Sequence, residues 1–314
     1  MVGTKMIAVT GGNGRIGRKL VQALLKQGQE VMVLDININP SLEGVKQIES
    51  DLSDLEKLTY SLSGVTVVYH LAAVIDYQAT KDELIKKNVE TTKNILNAVL
   101  KNRVKQFVFM STTSVYGESK KGEPFDESSE AKPYSNYGWS KLKCEEAIIE
   151  SGTPYTIIRS SQVFGPQFKE GYTTAFKYLK QGKMRIFGNG KNIVPMVHIS
   201  DLVSALLLVK DNPKALNKIF NVDGGYNKTQ KEFLTIASNV LSVQPPTSHI
   251  TPEIAKAFSK FAGKQKGLDE YIDKLSKNRP ISIENIKNTG YKPKADLEKS
   301  IKEVASAFKE RGLI

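Results

Sequence analysis

Apolar residues in the first half of the chain fall in short blocks that alternate with amphipathic stretches. Residues 5–10 (Lys-Met-Ile-Ala-Val-Thr), 30–34, 45–48, 65–70 and 106–110 carry runs of Val, Ile, Leu, Met or Phe bounded by turn residues, which predicts buried strands. Between them, 19–27, 53–61 and 82–101 show the period of helices with one face on a core. This alternation predicts an α/β fold, a Rossmann-type doubly wound parallel sheet with helices on both faces. Ligands of such sheets bind beyond the carboxyl ends of the strands.

Beyond residue 166 the pattern loosens. A helix is expected over 172–181, a strand with a glycine turn over 185–190, and a return strand over 220–222. Ser200-Asp201 reads as the N-cap of an apolar helix over 202–210. Thr229-Gln230-Lys231-Glu232 is a capping box opening a helix to about Leu241. Gln244-Pro245-Pro246 breaks the chain, and the lysine-rich stretch 255–275 reads as an exposed amphipathic helical region.

The first strand runs into Gly11-Gly12-Asn13-Gly14-Arg15-Ile16-Gly17, and a helix follows. Glycines there permit a tight turn and let backbone approach a pyrophosphate, which sits on the helix N-terminus. A glycine triplet alone is weak evidence, but strand before and helix after supply its context. Gly11, Gly14, Arg15, Ile16 and Gly17 are therefore candidate dinucleotide contacts. Asp35 ends the second strand, where a carboxylate accepts the ribose hydroxyls of NAD and repels the extra phosphate of NADP; NAD is favoured, although Arg15 offers a phosphate some help. Asp51 either caps the next helix or, with Leu52, meets the adenine. Leu71, Ala72 and Ala73 are small enough, on average, for a flat cofactor to pass a strand end. His70 reads as a structural histidine, and Cys144 as a structural cysteine.

Ser111-Thr112-Thr113-Ser114 places four hydroxyls at a strand end, as turn chemistry or as a hydrogen bond to a substrate oxygen. Tyr137 and Lys141 are one helical turn apart on one face. A neighbouring ammonium favours the phenolate, which suits a tyrosine to proton exchange near neutral pH. Tyr-x-x-x-Lys arises often by chance, but the glycine turn, Asp35, Ala72-Ala73 and Thr112 all fall on the same sheet edge.

These residues, with Asn88, Val115-Tyr116-Gly117, the stretch 154–159 and Val163-Phe164-Gly165-Pro166, resemble the extended short-chain dehydrogenase/reductase family, also called the NAD-dependent epimerase/dehydratase family. The likeness is close over roughly the first 210 residues and loose beyond. It implies that Tyr137 is the acid/base, that Lys141 holds the nicotinamide ribose, that Thr112 polarises the substrate carbonyl, and that Asn88 braces the cofactor site. It also implies that Asp76, Tyr77, Thr113, Gln162 and Met196 face the substrate, that helices over 281–290 and 297–311 close the chain, and that a homodimer forms through the helices of Asn88 and Tyr137. An NAD-binding domain is expected over 1–165 with returning segments at about 191–223, and a small mixed α/β substrate lobe over about 166–190 and 224–314.

The chain departs from sugar-nucleotide members of that family in two places. Gln162 stands where they usually carry asparagine, and Val194 where they carry an arginine that clamps the substrate diphosphate. Valine offers no bidentate phosphate contact, although Arg185, Lys191 or Arg279 remain as substitutes. The expectation is an NAD-dependent oxidoreductase acting on a secondary alcohol or ketone of a small or polycyclic molecule. The alternatives are a nucleotide-sugar epimerase or dehydratase retaining NAD, and a non-catalytic nucleotide-sensing or RNA-associated scaffold.

Composition narrows the setting. The chain has 314 residues, 40% hydrophobic and 25% charged, enough for a sizeable core. Its net charge of +12 is dispersed among acids, as in Lys81-Asp82-Glu83, so nucleic acid is not expected as a partner. One cysteine excludes an internal disulfide and points to the cytoplasm. Three scattered histidines give no metal-ligand spacing, and no apolar run approaches membrane-spanning length, so neither metal nor membrane is expected.

Overall fold

Eleven strands carry the described part of the chain: β1 (Met6–Thr10), β2 (Val31–Asp35), β3 (Lys46–Glu49), β4 (Val65–His70), β5 (Gln106–Thr112), β6 (Tyr155–Ser160), β7 (Gln162–Phe164), β8 (Ile186–Phe187), β9 (Met196–His198), β10 (Lys218–Val222) and β11 (His249–Ile250). The computed structural model describes residues 6–76, 78–119, 122–169, 171–261, 272–273 and 275–314. Seven strands form one sheet in the order β10-β6-β5-β4-β1-β2-β3, every pairing parallel. Strand order reverses between β1 and β4, as the doubly wound topology requires.

Burial explains the order. Residues 7–10 of β1 and 31–34 of β2 are buried on both faces, which suits central parallel strands. The polar β3 (Lys-Gln-Ile-Glu) is partly exposed along its length and takes the edge. Helices α1 (Arg15–Lys26) and α7 (Ile199–Val209) pack on one face around Leu20, Leu24, Leu202 and Leu206. The opposite face carries α2 (Leu55–Ser61), α4 (Thr91–Lys101) and α5 (Asn136–Glu150), through Leu58, Ile95, Leu96 and Ile148. Each such buried side chain contributes about 2 kcal/mol.

The stretch 82–101 is not one regular helix. It comprises α3 (Lys81–Leu84), a π-helical segment Ile85–Glu90 and α4. The Thr92 hydroxyl donates to the Asn88 carbonyl at 2.7 Å and the Cys144 thiol lies 3.4 Å from the same oxygen; the widened turn is a local register change of the kind that marks functional sites. Helix α7 starts at Ile199, with His198 rather than Ser200 as N-cap. Asp201 turns away to accept from the amides of Lys294 and Ala295 at 2.9 and 3.0 Å, fastening the segment before the closing helix Leu297–Glu310. Helix α2 is capped by Asp54, not by a residue at 51–53. Two short ladders lie outside the main sheet, β7 with β9 and β8 with β11. Helices α6 (Tyr172–Lys180) and α8 (Gln230–Leu241) flank α7 in sequence; of the stretch 255–275, the part within α9 (Pro252–Phe261) is helical, while 262–271 and 274 lie outside the described residues. Among the described residues no helix is long and apolar enough to cross a membrane.

Candidate active site

The glycine turn occupies the crevice beyond β1, where strand order reverses. Gly11 is left-handed (φ +66), and a Cβ on it would lie 2.7 Å from the Ala72 amide nitrogen. Small residues follow β4 because they pack on this backbone. At Gly17 a Cβ would lie 2.2 Å from the Gly11 carbonyl oxygen, so α1 begins in contact with the turn. Gly14 is the N-cap of this 12-residue helix and supplies no side-chain cap. Its first N–H groups, with the positive end of the helix dipole, make an anion seat. The Asn13 amide donates to Asp35 Oδ2 at 2.9 Å, so the carboxylate ending β2 also clamps the turn. The Arg15 guanidinium lies 4.9 Å over the Phe168 ring, and Ile16 packs against the core. A cradle that any Cβ would fill, an uncapped helix start and a carboxylate at the end of β2 fit a dinucleotide.

Around this cradle the other candidates divide. Asp51 accepts from the Ser53 amide at 3.0 Å in the turn before the Asp54 cap, and Leu52 is buried. Leu71 donates its amide to the Thr10 carbonyl at 3.2 Å, Ala72 donates to the Thr10 hydroxyl oxygen at 3.3 Å, and Ala73 is half-buried. Asn88 is buried; it accepts from the Val74 amide at 2.8 Å and donates to the Val74 carbonyl at 3.1 Å and the Ser140 hydroxyl at 3.2 Å. Its carboxamide joins the segment after β4 to α5. Asp76 is exposed and bonds the Gln78 amide at 2.8 Å, while Tyr77 lies outside the described residues. His70 sits between the Thr10 and Thr92 hydroxyls at 2.7 and 3.1 Å. Burial, then the Lys141 ammonium, holds its pKa down to about 3, so it is a neutral structural histidine.

Helix α5 brings the tyrosine to the hydroxyl cluster. Ser135 caps it by accepting from the Gly138 amide at 3.0 Å. A Cβ at Gly138 would lie 2.3 Å from the Ser114 carbonyl oxygen, so glycine is what lets the first turn press on the loop after β5. Tyr137 and Thr113 are buried and Thr112, at the end of β5, is half-buried. The Thr112 hydroxyl oxygen accepts from the Ser114 amide at 3.1 Å, which leaves its hydrogen to donate. Lys141 is 2% exposed, with Nζ 3.9 Å from the centre of the Phe109 ring. Burial lowers its pKa to about 8, against the opposing pull of Cys144 and Glu145.

Gln162 and Met196 are register partners across β7 and β9. With Val194, Met184, Phe233 and Leu234 they line a largely apolar cavity of about 30 Å³. Val194 is buried there, Arg185 and Lys191 are exposed, and Arg279 is buried with Nη1 3.0 Å from the Tyr134 hydroxyl. The Arg279 amide reaches the Ile193 carbonyl at 3.5 Å, which sets this arginine's backbone beside the residue before Val194. Among the described residues no three His, Cys, Asp or Glu side chains gather as a metal site. Sequence reasoning missed Asn13, Gly138 and the buried Glu145–Arg159 pair; for Glu145 the available signal was its spacing, one further turn along the face of Tyr137 and Lys141.

A profile of the NAD dependent epimerase/dehydratase family matches residues 7–223. The chain belongs to that family. Among similar proteins, UDP-glucose 4-epimerase of Vibrio cholerae is 28% identical over 320 residues, covering 97% of this chain and 95% of that one. A bovine (Bos taurus) sterol-4-alpha-carboxylate 3-dehydrogenase, decarboxylating, is 28% identical over 216 residues, 66% of this chain and 61% of that one. The structure of UDP-glucuronic acid 4-epimerase from Bacillus cereus in complex with NAD shares the fold with a TM-score of 0.80 at 23% identity, covering 98% and 99% of the two chains. Members of the NAD dependent epimerase/dehydratase family are enzymes, and NAD is the family's cofactor.

Proposed function

We propose that this member of the family interconverts a secondary alcohol and a ketone, with Tyr137 as acid/base. The observation that carries the reading is the contact of Gly138 with the Ser114 carbonyl, which sets the first turn of α5 against the strand end bearing Thr112. NAD, when bound, would accept the hydride in oxidation, and its reduced form would return it in reduction. Gly11, Gly14 and Gly17 would seat the pyrophosphate, and Asp35 would favour NAD over NADP because a carboxylate there repels the 2′-phosphate of NADP. The Thr112 hydroxyl donates to the substrate oxygen. Tyr137 removes the hydroxyl proton in oxidation and returns it in reduction, and the Lys141 ammonium steadies the phenolate.

The substrate reading follows from the walls. Val194 and Met196 are buried and Met184 is half-buried, and none of them offers a counter-charge to a diphosphate. A second reading, a nucleotide-sugar epimerase that retains NAD, is favoured by Arg279, buried beside Ile193, and by the Vibrio cholerae relative. The division into an NAD-binding domain and a substrate lobe, a homodimer through the helices of Asn88 and Tyr137, and a cytoplasmic setting for the buried thiol of Cys144 belong to the same proposal.

The test is NAD-linked absorbance with a panel of secondary alcohols and ketones, beside epimerisation of UDP-glucose. Turnover in the panel, lowered by about 10²–10⁴ in Tyr137→Phe, supports the proposal. Epimerisation without panel activity establishes the second reading instead, and full activity in Tyr137→Phe overturns both.

A further inference from the structure

The polar cluster beneath Thr112, Tyr137 and Lys141 has one hub. Glu145 is 1% exposed and continues the row of Tyr137 and Lys141 along α5. Its carboxylate holds Arg159 of β6 in a forked ion pair, with Nη2 2.6 Å from Oε2 and Nε 3.1 Å from each oxygen. Oε1 also accepts from the hydroxyl of Ser111, the residue before Thr112 on β5. One side chain thus ties the helix of Tyr137 and Lys141 to two neighbouring strands. The bonds continue outward: Arg159 Nη1 donates to the Tyr116 hydroxyl at 2.8 Å, which donates to Asn221 of β10 at 2.9 Å.

Stability alone does not account for such a pair. Desolvating two charges costs as much as their attraction returns, and well-packed apolar residues often serve a core as well or better. What the pair adds is a fixed geometry and a negative charge. Around the Lys141 ammonium stand Cys144 and Glu145 from its own helix, His70 from β4 and the Phe109 ring from β5. Of these, Glu145 is the carboxylate.

We propose that Glu145 is the positioning residue of this site, setting α5, with its Tyr137 and Lys141, against the strand that ends in Thr112. The inference rests on the roles given to Tyr137 and Lys141 above. Glu145 acts through Lys141 and Ser111. Its neutralisation withdraws the one carboxylate that opposes the effect of burial on Lys141, so the amine loses its proton at lower pH.

NADH affinity measured against pH tests this without any substrate. In the wild-type protein, affinity falls as pH rises through the ionisation of Lys141 in the free protein, near 8. In Glu145→Gln the fall begins at a lower pH, so affinity is lost at the alkaline end with the acid end little changed. Glu145→Asp keeps the charge and restores the wild-type break. Because a lone Arg159 threatens folding, the double variant Glu145→Gln/Arg159→Gln is measured alongside; it removes two opposite charges together, so its break is expected back near the wild-type pH. A Glu145 that only holds the fold together lowers affinity evenly at every pH and leaves the break in place; that result overturns the inference alone. If Lys141→Met keeps the wild-type break, the role of Lys141 falls first and takes this inference with it.

Discussion

Replacing Lys141 by methionine removes a charge that the native state holds at a cost. The amine is 2% exposed, and its pKa falls from an ordinary 10.5 to about 8. Each tenfold change is ~1.4 kcal/mol, so the buried ammonium costs the fold about 3 kcal/mol wherever both states are protonated. That condition holds below pH 8. Between pH 8 and 10.5 the unfolded chain binds the proton and the folded one does not, so stability rises with pH; above 10.5 the cost is gone. Methionine is close in length and keeps the packing, but it forfeits the contact of the cation with Phe109, worth ~0.5–2 kcal/mol. The net expectation is that Lys141→Met is more stable than wild type by about 1–3 kcal/mol at neutral pH, with the advantage vanishing or reversing above pH ~10. Urea unfolding of the cofactor-free proteins at both pH values, with NAD binding as the functional control, measures it. A variant less stable at neutral pH, or a gap that does not change with pH, would refute the reasoning. A gain in stability with loss of cofactor binding is the trade-off expected where a site needs a strained charge.

Asp223 behaves in the opposite sense. It is buried, which pushes its carboxyl up to about 6, with Ser161 and the Gly225 amide pulling against burial. The ionised form costs the fold above that value, so Asp223→Asn should gain about 1–2 kcal/mol at neutral pH and nothing below pH ~4, read by thermal unfolding. Gly17→Ala forces a methyl to within 2.2 Å of the Gly11 carbonyl; the turn must open, and calorimetry should find NAD binding lost. Asp35→Ser removes the charge at the ribose end, so the ratio of NADP to NAD affinity should rise, while losing the bond to the Asn13 amide weakens both. Asn88→Ala leaves the Val74 backbone groups and Ser140 without their buried partner and should cost about 2–4 kcal/mol in denaturant unfolding.

How far the chain was legible depended on the range of each interaction. Strands β1, β2, β4 and β5 stand out because a central parallel strand is apolar on both faces, a signal contained in five to seven residues. Strands β7, β9 and β11 are two or three residues long and carry no period, so only their pairing reveals them, whereas β8 is marked by the glycine turn that follows it. The π-helical turn at Asn88 escaped notice because side chains of α4 and α5 take up its carbonyl. Ser200-Asp201 looked like a cap because those residue types favour one; the structure gives Asp201 two amides more than 90 positions away.

The sequence by itself determined the chemistry on offer: a glycine turn between strand and helix, a carboxylate after β2, a phenol and an amine one turn apart, and valine in place of an arginine. Those are properties of residue type and short spacing, and backbone physics reads them directly. Tertiary structure alone decided what each group feels. Burial between α5 and the sheet makes Lys141 a weaker base, a missing side chain at Gly138 lets the first turn of α5 press on the loop after Thr112, and Arg159 meets Glu145 only because β6 lies beneath the helix. Desolvation and contact depend on what folds over a residue, and that is set by elements distant in the chain.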